Sequence, residues 1–158
     1  MKNPSLKKIL PFIIAGLSLL ATLTIFLPAL RYEGVVVSGL EIAFGTTLNE
    51  VDPFGFDIAA VELEVSSYAI AAYFAPLIAG ILTLIFRTGN VFSLAMFAMS
   101  AVLFFTMRDN VHLLVSVGGN ETSETVDWTL AYGSLLAAML SIFAALAEML
   151  HISMTEQN

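Results

Sequence analysis

The chain has 158 residues, 58% of them hydrophobic and 12% charged, with a net charge of −7 and a mean hydropathy of +0.90. An average soluble domain is about 25% charged, so this composition belongs to the membrane class, and the length fits one domain with no room for a separate soluble catalytic domain. The absence of cysteine excludes disulfides, thiol nucleophiles and cysteine-based zinc or iron–sulfur sites.

Crossing a bilayer takes about 20 apolar residues in a helix, because backbone groups in lipid must be bonded within the segment. Four stretches fit: residues 9–30, 67–86, 91–107 and 128–150, of which only the last carries an acid, Glu148, near its end. The first follows "MKNPSLKK" and has a secretory-signal reading. Its length and the poor cleavage site in "FLPALRY" favour a retained anchor instead. Pro28 and Pro76 are expected to bend or end their helices.

Basic residues set the orientation. Lys2, Lys7 and Lys8 precede the first segment, and Arg87 sits in the "RTGN" turn between the second and third. The positive-inside rule places these at the cytoplasm, with both termini. The connections at residues 31–66 and 108–127 then face outward. They hold Glu33, Glu41, Glu50, Asp52, Asp57, Glu62, Glu64, Asp109, Glu121, Glu124 and Asp127 against Arg31 and Arg108. Both arginines are expected beside helix ends, reaching lipid phosphate. Tyr32, Tyr68, Trp128 and Tyr132 are expected at the same outer boundary, and Asp127 is expected to cap the fourth helix.

The outer connections carry strand signals. Leu40, Ile42 and Phe44 alternate with Gly39, Glu41 and Ala43, and "VELEV" alternates strictly. Val111, Leu113, Val115 and Val117 alternate with His112, Leu114 and Ser116 before "GGNETSE" turns the chain, as "NEVDPFG" does in the first connection. The expected fold is a membrane all-α domain with a small β element. It is a four-transmembrane-helix bundle carrying one extracytoplasmic antiparallel sheet built from both outer loops.

This order of elements resembles the claudin and PMP22 type of tetraspan. The resemblance implies a plasma-membrane protein with a strand-rich outer face. The chain departs from that family's outer-loop motif: residues 31–66 contain neither tryptophan nor cysteine. "VSGLEIAFG" followed by "APLIAGILTLIF" also resembles small four-helix proteins of bacterial membranes.

Residues able to carry chemistry are few. Glu148 in "AALAEMLH" has two readings: an intramembrane acid on an ion or proton path, or, as the default, a carboxylate at headgroup level facing water. His151 lies three residues on and gives at most a two-ligand metal pair, so a solvated helix end is the expectation there as well. His112 in the second connection is either an external pH sensor or a residue on the wet face of its strand. No metalloprotease, nucleophile-elbow, phosphate-loop or dinucleotide motif occurs, and the acids follow no calcium-loop pattern. "NET" at Asn120 matches a glycosylation pattern that has meaning only outside bacteria.

Helix packing is the stronger signal. Gly133, Ala137, Ser141 and Ala145 recur every four residues, as do Ala71, Ala75 and Ala79, spacings that let helix backbones approach closely. These stripes serve the bundle itself or a partner. The expected function is a non-enzymatic accessory or scaffold subunit that binds lipid and another membrane protein, or itself, with no cofactor, metal or nucleic acid. An oligomeric channel is the alternative, with Ser18, Thr22, Thr24, Ser100 and Ser141 as its mid-membrane polar groups. A lipid- or envelope-acting enzyme ranks third.

Overall fold

A computed structural model describes residues 4–51, 59–87, 89–117 and 120–156. Helix α1 spans Pro4–Leu23 and gives way to a single 3-10 turn at Thr24–Phe26. Next come strands β1 (Pro28–Tyr32) and β2 (Val35–Ser38), the short helix α2 (Gly39–Phe44), and strands β3 (Thr46–Val51) and β4 (Ala59–Leu63). Helices α3 (Ser67–Phe86) and α4 (Val91–Thr106) form a tight hairpin. Strands β5 (His112–Val117), β6 (Asn120–Thr125) and β7 (Thr129–Leu130) precede α5 (Tyr132–Glu156). The four long helices are long and apolar enough to cross a membrane. Each packs on its neighbours in the cyclic order α1, α3, α4, α5, an up-and-down bundle.

The bundle is apolar on its outer faces as well as in its core. Phe12, Phe26, Ile85, Phe92, Val102, Phe143 and Leu146 are largely exposed on the outer faces. Ser18, Thr24, Thr83, Ser93, Ser100, Ser134, Ser141, Glu148 and His151 are buried inside. Most of these hydroxyls have backbone partners. Pro76 lacks the N–H that would bond the Ala72 carbonyl, and the Ser100 hydroxyl of α4 donates to that carbonyl at 2.8 Å instead. The Thr22 hydroxyl of α1 lies 3.1 Å from the Tyr73 carbonyl, one residue further along the same interruption. The carbonyl freed by Pro76 is thus met by Ser100 of α4, and α3 continues through the break.

All strands gather at one end of the bundle, beside the ends of α1 and α4 and the starts of α3 and α5. They form two sheets rather than the single expected one: β2-β1-β7 and β3-β4-β5-β6, all antiparallel. β4 and β5 pair with Leu63 opposite Leu113, so the predicted third strand from the second connection is present. Leu63 and Leu113 point into a core with Ile42, Tyr73, Phe104 and Trp128, while Glu62 faces out.

Several sequence expectations are corrected here. The first helix stops at Leu23 rather than residue 30, because Pro28–Tyr32 pairs as β1 between β2 and β7. Arg31 therefore lies on a strand and not at a helix end. Glu33 and Gly34 both adopt positive φ (43° and 90°) between the paired Tyr32 and Val35, a two-residue hairpin turn of the primed type. Leu40, Ile42 and Phe44 are helical, not extended. Ser38 and Glu41 make a reciprocal capping box, in which the Ser38 N–H donates to Glu41 Oε2 at 2.6 Å, so a capped turn outweighs the period-two pattern. "NETSE" is strand β6 rather than a turn, and β3 runs to Val51, into the expected connection. Asp52 and Asp57 lie outside the described residues. The fourth long helix begins at Tyr132, not residue 128, because Thr129–Leu130 pairs with β1, so Asp127 caps no helix. Trp128 is 3% exposed, packed edge-on to Tyr32 at 6.0 Å, and is no interfacial residue. Arg108 pairs with the adjacent Asp109 at 3.4 Å.

Two substitutions test this packing. Ser100→Ala strands the Ala72 carbonyl and should lower stability by about 1–3 kcal/mol, whereas in a Pro76→Ala background, which restores the missing N–H, the same change should cost much less. A double-mutant cycle by thermal unfolding in detergent reads the coupling. Gly39→Ala drives its Cβ into the Tyr73 ring and should destabilise by about 1–3 kcal/mol.

Candidate functional site

The bundle end opposite the sheets holds the only buried carboxylate among the described residues. Glu148 and His151 are each 0% exposed, which overturns the expectation of a solvated helix end. The reason is tertiary. The α3–α4 turn folds over this face of α5, with Gly89 so close against the Ile152 backbone that a Cβ could not fit. α5 also runs on to Glu156, so Glu148 stands two turns inside the helix rather than at its end.

Both carboxylate oxygens of Glu148 are engaged. Oε1 accepts the Asn90 backbone N–H at 2.7 Å, and Oε2 accepts the Thr83 hydroxyl at 3.2 Å. Asn90 is the N-cap of α4, its side chain accepting from the Phe92 N–H at 2.9 Å. The Glu148 carboxylate therefore sits at the N-terminus of α4, where unpaired N–H groups and the helix dipole favour negative charge. It clasps α3, α4 and α5 together from a single side chain.

His151 stands differently. Its Nδ1 is 3.8 Å from Glu148 Oε2, close enough for attraction and too far for a hydrogen bond. Neither ring nitrogen has a partner, and the Ser93 hydroxyl of α4 is likewise buried and unpaired. Such groups cost about 1–3 kcal/mol each when left unsatisfied. An imidazole with neither ring nitrogen bonded thus stands beside a carboxylate. No group of three or more histidine, cysteine, aspartate or glutamate side chains suited to a metal occurs among the described residues.

His112 is half-buried at the other end, on a rim shared with Glu64, Ser66, Tyr68 and Asn110 around a shallow depression of about 310 Å³. The length of α4, about 24 Å at 1.5 Å per residue, separates it from Glu148, so the two candidate residues do not meet. A larger cleft of about 480 Å³ lies between the sheets, lined by Arg108, Asp109, Asp127 and Trp128, whose indole N–H is unpaired. Of the packing residues, Gly133, Ala137 and Ser141 face the interior, Gly133 against the Pro28 carbonyl, while Ala145 is half-buried. Ala75 and Ala79 are buried and Ala71 is exposed.

Sequence reasoning singled out Glu148 and His151 but not Thr83, Asn90 and Ser93. The spacing of Asn90 just before an apolar run is an N-cap signal and was the available clue. No family model, curated protein or solved structure matches this chain, and the claudin and PMP22 likeness rests on the order of elements alone.

Glu148→Gln keeps an acceptor for Asn90 but loses the charge and should cost less than Glu148→Ala, which orphans the Asn90 N–H and should cost about 1–3 kcal/mol, while the Thr83 hydroxyl keeps the Ala79 carbonyl as partner. His151→Phe removes two unpaired buried nitrogens and should be neutral or stabilising in detergent. A clear loss of stability would show that His151 has a partner in the folded protein.

Proposed function

We propose that the chain is a four-span integral membrane protein of the cell membrane, with both termini cytoplasmic and both sheets extracytoplasmic. On this reading it serves as a non-enzymatic accessory subunit of a larger membrane complex. Support for the membrane setting is the apolar outer surface of the bundle, since outward Phe, Ile, Leu and Val are solvated by lipid and not by water. The orientation is supported by charge. Lys7, Lys8 and Arg87 lie at one end, and Glu33, Glu62, Glu64, Glu121 and Glu124 stand exposed at the other.

The observation that carries the accessory role is a groove of about 350 Å³ on the outer surface between α4 and α5. Ala98, Ala101 and Ala145 line it together with Val102, Phe105, Leu146 and Met149. A lining with alanines admits another helix at short interaxial distance, which is how helices associate where lipid removes the hydrophobic drive. The occupant proposed is one transmembrane helix of a partner. The channel reading draws little support, because its polar groups are already engaged. Ser18 donates to the Ala15 carbonyl, Thr24 to that of Ala21, and Ser100 to that of Ala72.

The absence of cysteine makes the test direct. Single cysteines placed at Thr47 and at the N-terminus should label from outside and inside intact cells respectively, and the reverse pattern would defeat the orientation. Ala98→Trp fills the groove and should abolish a complex recovered by mild detergent extraction while leaving the melting temperature within a few degrees. A chain that runs alone and monomeric under those conditions, before and after the substitution, would defeat the accessory reading.

A further inference from the structure

At the α1 start and α3 end, a groove of about 650 Å³ is lined by Lys7, Lys8, Pro11, Phe12, Leu84 and Arg87. Its chemistry is two-sided. Three cations stand at its mouth. Pro11 and Phe12 follow one helical turn below Lys7 and Lys8, and Leu84 lies nearly a turn before Arg87 on α3. Arg87 is held in place by the helix end itself: it is the left-handed C-cap of α3 (φ 50°), with its N–H donating to the Thr83 carbonyl at 3.0 Å. Among the described residues none of the three cations has a carboxylate within ion-pair distance, although the whole chain carries a net charge of −7. Half of the six lysines and arginines of the chain line this one groove, and among the described residues no acid does.

We propose that this groove binds an anionic glycerophospholipid, its phosphate held by Lys7, Lys8 and Arg87 and an acyl chain lying along Phe12 and Leu84. The proposal rests on the membrane setting proposed above. A soluble anion satisfies the cations and leaves the apolar wall unused. A neutral lipid does the converse. Only an amphiphile with a negative head complements both halves, and the cations lie at the depth where headgroups stand if α1 and α3 cross a bilayer. The net negative charge of the protein as a whole opposes diffuse attraction of anions, so binding is confined to the groove. Each cation near an anionic headgroup is worth about fivefold in affinity, so three together give about a hundredfold.

The test uses the purified full chain in neutral detergent, titrated with phosphatidylglycerol, cardiolipin, phosphatidylcholine or inorganic pyrophosphate. Lipid retention is read by native mass spectrometry and the melting temperature in parallel. The two anionic lipids should be retained and raise the melting temperature, and phosphatidylcholine should do neither. The Lys7→Gln/Lys8→Gln/Arg87→Gln variant should bind about a hundredfold more weakly, and Arg31→Gln/Arg108→Gln should bind as the parent does. Leu84→Trp fills the groove with all charges kept and should also weaken binding at least tenfold. Equal retention of neutral lipid, equal loss in the Arg31/Arg108 variant, or unchanged binding in Leu84→Trp would overturn the groove as the site. Stabilisation by pyrophosphate matching that by lipid would overturn a lipid as the occupant. A chain that stays soluble and folded without detergent would instead defeat the membrane setting, which separates the two failures.

Discussion

The constraint on which this structure depends is that its polar groups find partners inside the bundle, since the outer faces of the long helices offer none. An outward surface of Phe12, Ile85, Val102 and Phe143 cannot hydrogen-bond a stray carbonyl. When Pro76 frees the Ala72 carbonyl, a hydroxyl must come from a neighbouring helix, and Ser100 supplies it. The Thr22 hydroxyl, shared between the Ser18 carbonyl of its own helix and the Tyr73 carbonyl, links α1 to α3 from the other side. These bonds are directional, so they fix the register of α1, α3 and α4 against one another more sharply than apolar contact alone does. The close approach they require is made possible by small residues: Gly80 of α3 touches Ser18 of α1, where a Cβ would collide with the side chain.

The same requirement explains the two ends. At the sheet end, backbone bonding passes from helices to strands without interruption. The Ala131 N–H donates to the Ala29 carbonyl at 2.9 Å, and the Ser134 hydroxyl donates to that same carbonyl at 2.8 Å. The start of α5 is thereby tied to β1, and the Ser66 N–H bonds the Ile42 carbonyl, tying α3 to α2. At the other end the exposed amide at the start of α4 is met by Glu148 rather than by water. A carboxylate is a strong acceptor for an N-terminal amide, and the helix dipole favours negative charge at that point. Outside this scheme stand His151 and Ser93, and at the sheet end the Trp128 indole N–H and the Tyr73 hydroxyl, buried polar groups without a hydrogen-bond partner among the described residues.

How far a sequence reports its own structure varies here with the range of the interaction. The second helix was legible to the residue, Ser67 to Phe86, because its apolar run, its Ser66 cap and the break at Arg87 are all local. The strands around "VELEV" and "HLLVSV" were legible from alternation. The segment Gly39–Phe44 was misread because six residues are too few to separate period two from period 3.6, and the capping box that decides between them needs Ser38 and Glu41 to be read as a pair. The ends of the first and fourth segments were misplaced for a different reason. Residues 28–30 and 128–131 are apolar enough to continue a helix, and they leave it only because β1 and β7 find each other from about a hundred residues apart.

From its composition and local patterns, then, the chain by itself determined four apolar helices of membrane-spanning length, the tight turn between the middle two, and strands in the two longer connections. These depend on neighbours in sequence, so the sequence carries them openly. Only the tertiary structure decided that the strands divide into two sheets, that the carbonyl freed by Pro76 is met by Ser100, and that Glu148 and His151 are buried beneath the α3–α4 turn. Those outcomes depend on contacts between segments distant along the chain. A glutamate near the end of an apolar run looks the same in sequence whether water or another helix covers it.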